Sequence, residues 1–103
     1  MEFKAGVSLK GLQPQMLLAL LEAEAIYKKR LLTMVVTSVN DSRHKDGSKH
    51  YSGNAVDLRT KGTGSARSLY NDISKKLTPV GYDVILEFEG GEQEHLHLEY
   101  DPD

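Results

Sequence analysis

The segment Glu94-His95-Leu96-His97-Leu98-Glu99-Tyr100, introduced by Gly90-Gly91, constrains this chain more than any other stretch. Strict alternation of polar and apolar residues is the period of a β-strand, and the glycine pair supplies a turn back towards residues 82–88, Tyr82-Asp83-Val84-Ile85-Leu86-Glu87-Phe88, which also read as a strand. The two are expected to pair as an antiparallel hairpin. Alternation then places His95, His97 and Glu99 on one face and Glu94, Leu96, Leu98 and Tyr100 on the other.

The preceding chain supplies the other elements. Residues 1–13, with Gly6 and Gly11 among scattered apolar residues, read as an extended lead-in. Pro14 suits the first turn of a helix, where its missing N–H costs nothing. Leu17, Leu18, Leu21, Ala25 and Tyr27 or Lys28 then follow at roughly helical spacing, with Glu22 and Glu24 opposite Lys28 and Lys29 on a solvated face. Residues 31–38 are β-branched and almost entirely apolar, the pattern of a buried central strand. Residues 54–58 form a short second strand. Ser65 is placed to cap a helix running to about Leu77 with Leu69, Ile73 and Leu77 in one stripe, and Pro79 and Gly81 break it. Helix, strand, strand, helix, strand, strand predicts an α+β fold, a mostly antiparallel sheet with helices packed on one face. At 103 residues this is one domain, residues 1–103.

Composition narrows the function classes. A net charge of -2, with 13 basic residues spread along the chain, gives no basic patch, so no nucleic-acid partner is expected. The longest apolar run, Met16 to Leu21, is far short of a membrane span, and the N-terminus lacks the apolar core of a secretory signal. The expectation is therefore a monomer made in the cytoplasm, without a membrane partner, acting elsewhere only if released. With no cysteine, any zinc must be held by His, Asp or Glu.

The candidate chemistry centres on Ser48-Lys49-His50-Tyr51-Ser52-Gly53-Asn54-Ala55-Val56-Asp57. His50 and Asp57, seven positions apart across a glycine and ending on a strand, can supply two of the three protein ligands of a catalytic zinc. The third ligand and a general base must come from elsewhere. Alternation alone favours His95 and His97 as a pair of ligands. His44 with Asp41 and Asp46 lacks the regular alternation of oxygen ligands found in a calcium loop.

These residues resemble the zinc D-alanyl-D-alanine peptidases, a family that includes VanX- and VanY-like carboxypeptidases and phage L-alanyl-D-glutamate endolysins. The family motif Ser-x-His-x-x-Gly-x-Ala-x-Asp is matched at Ser48, His50, Gly53, Ala55 and Asp57, and its Glu-x-Trp-His element is matched at Glu94 and His97, with Leu96 in place of tryptophan. The likeness extends over the order of elements through most of the chain.

The resemblance implies a hedgehog/DD-peptidase-like fold, a Zn2+ cofactor held by His50, Asp57 and His97, and Glu94 as the general base. Because Glu94 and His97 are three apart, a regular strand cannot aim both inward, so Glu94 is expected in the turn or at a bulge before the strand. Ser48 is expected to hydrogen-bond the substrate. Arg43 is the candidate for gripping a substrate carboxylate, although the family's Ser-Gly-Tyr-Arg stretch is here Ser38-Val39-Asn40-Asp41-Ser42-Arg43. Tyr51 or His95 is available to replace the missing tryptophan at the substrate wall. The implied activity is hydrolysis of an amide bond in bacterial peptidoglycan peptides, in an enzyme of phage or prophage type that acts at the cell wall after release or within a virion. The alternative is a non-catalytic zinc-binding module of the same fold, such as a phage structural or binding protein.

Overall fold

The computed structural model describes residues 1–39 and 53–102. In chain order the elements are β1 (Glu2–Phe3), α1 (Pro14–Lys29), β2 (Val35–Val39), β3 (Ala55–Arg59), α2 (Ala66–Leu77), a 3-10 turn (Thr78–Val80), β4 (Tyr82–Glu87) and β5 (His95–Tyr100). The strands form one five-stranded mixed sheet in the order β1-β2-β3-β5-β4. Every neighbouring pair is antiparallel except β1 with β2, which is parallel. The fold class is therefore α+β, as the element order predicts. The lead-in contributes an edge strand that its short and unpatterned sequence does not announce.

The β4–β5 hairpin has the expected register, from Tyr82 opposite Tyr100 to Glu87 opposite His95. One face of the sheet carries Val36, Val56, Leu58, Val84, Leu96 and Leu98, and these side chains form a single core cluster with residues of both helices. Each fully buried leucine of that cluster, such as Leu96 or Leu98, contributes about 2 kcal/mol through apolar area removed from water. The opposite face carries the polar residues of the alternating strands.

α2 is as expected: the Ser65 hydroxyl accepts from the Ser68 N–H at 3.1 Å, and Leu69, Ile73 and Leu77 are buried. α1 begins at Pro14, as predicted, but buries a different stripe. Met16, Ala19, Leu20, Ala23 and Tyr27 face the core, whereas Leu17, Leu18 and Leu21 are exposed. The run from Met16 to Leu21 is apolar all round, so its own spacing does not fix a phase. The small Ala19 and Ala23 let the helix approach the sheet, and Tyr27 finds a partner for its hydroxyl in the Arg59 carbonyl at 2.9 Å. The strand expected over residues 31–38 starts only at Val35. Leu31 instead ends α1 in a left-handed conformation with φ 60° and is almost wholly exposed, while the Leu32 N–H returns to the Tyr27 carbonyl at 3.0 Å.

Two local devices position the site. In β2, Val36 lies opposite Leu58 and Ser38 opposite Asp57, so Thr37 is an extra residue on that strand. This bulge lets Val36 and Val39 both enter the core while Ser38 stands opposite Asp57. The motif glycine, Gly53, has φ +78°, and a Cβ there would lie 2.2 Å from the Gly11 carbonyl oxygen. The Gln13 N–H donates to the Gly53 carbonyl at 3.0 Å, so the lead-in is fastened against the start of β3. Only glycine fits this approach.

Candidate functional site

The site is built on the polar face where β3, β5 and β4 run side by side. Asp57 lies opposite His97, which lies opposite Ile85; one row further along, Arg59 lies opposite His95, which lies opposite Glu87. The alternation of β5 holds as predicted, with Leu96 and Leu98 buried below and His95, His97 and Glu99 above. Asp57 is 9% exposed, so a carboxylate in that position needs close partners.

His97 supplies one. Its Nδ1 stands 2.9 Å from Asp57 Oδ1, and its Nε2 stands 2.6 Å from Glu99 Oε1. Both ring nitrogens face carboxylate oxygens, which only accept at neutral pH, so the ring is an imidazolium that donates twice. Burial is the largest influence on its pKa and acts to lower it. The hydrogen bonds and charges of Asp57 and Glu99 together outweigh burial and push it up to about 9.

His95 is held differently. Its Nδ1 faces the Gln93 carbonyl at 2.8 Å and must donate to it, which aims Nε2 at Glu87 Oε1, 3.1 Å away, with Asp57 Oδ1 at 3.7 Å. The Phe88 ring lies against it, with centroids 6.0 Å apart.

Glu94 lies in the turn just before β5, as the three-residue offset from His97 requires. The Thr60 hydroxyl donates to its Oε1 at 2.5 Å and the Gly90 N–H to its Oε2 at 2.7 Å. These two bonds, the Thr60 one first, lower the pKa of Glu94 against the opposing effect of burial, so the carboxylate is ionised at neutral pH. Asp57, His95 and Glu94 share one cleft of about 360 Å³, bordered also by Ser38, Arg59 and Lys61. A larger groove of about 560 Å³ between α1 and α2 is lined by Glu22, Lys29, Arg30 and Asp72 and contains no imidazole.

The structure thus pairs Asp57 with His97 and sets Asp57 and Glu94 in one cleft, which His95 lines and His97 does not. Ser48, His50, Tyr51 and Arg43 lie outside the described residues, as do His44, Asp41 and Asp46. Three contributors were not singled out from sequence. Glu99 shares the face of His97 by simple alternation, and that signal was legible. Glu87 depends on the hairpin register, and Thr60, three residues beyond Asp57, has no sequence signal at all.

The donor set fits a metal of the zinc class: a buried carboxylate, an imidazole beside it, and Glu99 behind that imidazole in the position of an orienting outer carboxylate. Comparison with family models, with curated proteins and with solved structures gives no match.

Proposed function

We propose that this chain is a zinc hydrolase, and within that class a peptidase acting on an amide bond of bacterial peptidoglycan peptides, on a hedgehog/DD-peptidase-like fold. The observation that carries the proposal is the direct pairing of Asp57 with His97 across β3 and β5, backed by Glu99, with Asp57 lining the same cleft as the ionised Glu94. The resemblance of the His50 to Asp57 motif and of Glu94 with His97 to the zinc D-alanyl-D-alanine peptidases supports it.

In this reading Asp57 and His97 would hold the metal together with His50. His97 would offer Nδ1, the nitrogen facing Asp57, after losing a proton there, while Glu99 would keep the other nitrogen protonated and the ring fixed. When bound, zinc supplies Lewis acidity towards the scissile carbonyl and a water of lowered pKa. Glu94 accepts a proton from the attacking water and returns it to the nitrogen of the breaking C–N bond, so that the peptide leaves as an amine and a carboxylate. Ser48, Tyr51 and Arg43 are the proposed substrate contacts.

One observation favours the rival, a zinc-binding module without catalysis: both Glu94 oxygens already accept hydrogen bonds, from Thr60 and Gly90. Two such bonds leave lone pairs on each oxygen, so a carboxylate so held is positioned without being blocked. Cleavage of defined muropeptides by zinc-loaded protein separates the readings. The peptidase releases product, and Glu94→Ala loses on the order of 10²- to 10⁴-fold in kcat while keeping its zinc. Stoichiometric zinc with no product from any cell-wall peptide favours the module.

A further inference from the structure

One charged side chain of α2 reaches across to the hairpin turn that leads into Glu94. We propose that Arg67 is a positioning residue for Glu94: it clamps Glu89 and thereby fixes the turn whose Gly90 N–H holds the Glu94 carboxylate. This role rests on the reading of Glu94 as general base and adds a residue to it.

The chain of contacts is continuous. Arg67 Nε donates to Glu89 Oε2 at 3.1 Å and Arg67 Nη2 donates to Glu89 Oε1, a two-pronged pair. Glu89 precedes Gly90, whose N–H donates to Glu94 Oε2 at 2.7 Å. The Gly91 N–H returns to the Phe88 carbonyl at 3.0 Å and the Glu94 N–H to the Gly91 carbonyl at 3.2 Å, so residues 88–94 form one linked turn. The bidentate geometry matters, because a single exposed ion pair contributes little whereas a planar fork on a carboxylate fixes direction as well as distance. The guanidinium is itself oriented: it lies over the Tyr70 ring, 5.1 Å from the centroid, and Tyr70 packs against the core.

The turn needs an outside anchor. Phe88 has φ 53°, a left-handed conformation that an L side chain enters only at a cost, and the residue is largely exposed. A cavity of about 580 Å³ lies beside Gly90 and Gly91, lined also by Thr60, Lys61, Glu92 and Glu94, so packing does not hold this part of the chain. Charge adds to the need. Glu89 and Glu94 repel one another within the turn, and the hydrogen bond from Arg67, the largest influence on Glu89, keeps that carboxylate ionised against burial and the repulsion. Helix stability does not account for Arg67. It is the second residue of α2, in a first turn without an acidic residue, where a cation opposes the helix dipole.

NMR of the full chain with Zn2+ supplied tests this through amide exchange of Gly90 and titration of the Glu94 carboxyl, alongside muropeptide kinetics. In Arg67→Gln, Gly90 exchange is expected to quicken about two- to five-fold, the range an exposed ion pair can supply, with the Glu94 pKa raised and kcat lowered by a similar factor at unchanged KM. Glu89→Gln is expected to give the same faster exchange, and Arg67→Lys to recover part of the loss, since a point charge does not grip both oxygens. Exchange at Ile73 and Leu77 and the denaturation midpoint stay at wild-type values, which separates positioning from a general loosening of α2. Wild-type Gly90 exchange in folded Arg67→Gln overturns the proposal even where the Glu94 pKa moves, because charge alone then accounts for the shift. Faster exchange with kcat unchanged overturns the role in catalysis. A wild type that releases no product removes the peptidase reading, and faster Gly90 exchange in both Gln variants still upholds the clamp on Glu94.

Discussion

Glu94 precedes β5 and is held there by Thr60 and the Gly90 N–H. The Thr60 side chain, on a residue only 3% exposed, gives Glu94 Oε1 a 2.5 Å hydrogen bond and lowers its pKa. Thr60→Val keeps the shape and removes the donor, so the Glu94 pKa rises and the acid limb of the kcat/KM profile for muropeptide cleavage moves to higher pH. Thr60→Ser restores it; an acid limb that ignores Thr60→Val contradicts the role assigned to Glu94. His97 gives a second pH effect, in metal-free protein. Its folded pKa, about 9, lies above the unfolded value of 6.5, so the stability it adds is complete below pH 6.5 and is lost as pH rises through about 9. Denaturation midpoints of chelator-treated protein are expected to fall over that window, and less so in His97→Gln. An imidazole resonance of His97 titrating below 6.5 contradicts the double hydrogen bond. At this scale the alternation of β5 was legible in the sequence, and the structure has His95, His97 and Glu99 on one face as it predicts. What surrounds each of the two imidazoles was not, since alternation puts both on that face. The structure separates them by their partners: Glu99 behind one ring, the Gln93 carbonyl behind the other.

Among the elements, the hairpin and α2 were readable because each has an unambiguous period or cap. β5 alternates without a break, and Ser65 caps α2. α1 was readable in position but not in phase, as an apolar run of six residues offers several equivalent stripes and tertiary packing selects among them. The β2 bulge was unreadable for a related reason: a β-branched run carries no mark of which residue is extra, and the register with β3 decides it. The motif glycine acts at this scale too. Gly53→Ala forces a left-handed conformation on alanine and drives its Cβ into the Gly11 carbonyl, so a loss of about 2 kcal/mol or more is expected in urea denaturation. A wild-type midpoint in that variant contradicts the close approach. The same substitution is expected to weaken zinc binding, because Gly53 lies between the motif histidine and Asp57.

On the scale of the molecule, one sheet divides two kinds of chemistry. Its apolar face and two helices make the core, and its other face gathers Asp57, Glu87, His95, His97 and Glu99 on three adjacent strands. No helix among the described residues is long and apolar enough to cross a membrane. Backbone pairing fixes the spacing of these acidic and imidazole groups. Under the proposed function, the more strongly β3 and β5 are paired, the less reorganisation metal binding would require. The proposed function requires Asp57 and His97 to act together as ligands. Zinc per chain, measured on wild type, Asp57→Asn and His97→Ala purified without chelator, tests that claim most directly. At least one zinc in the wild type and loss of an ion from both folded variants is the result expected under the proposed function; His97→Ala retaining the full wild-type content would contradict it.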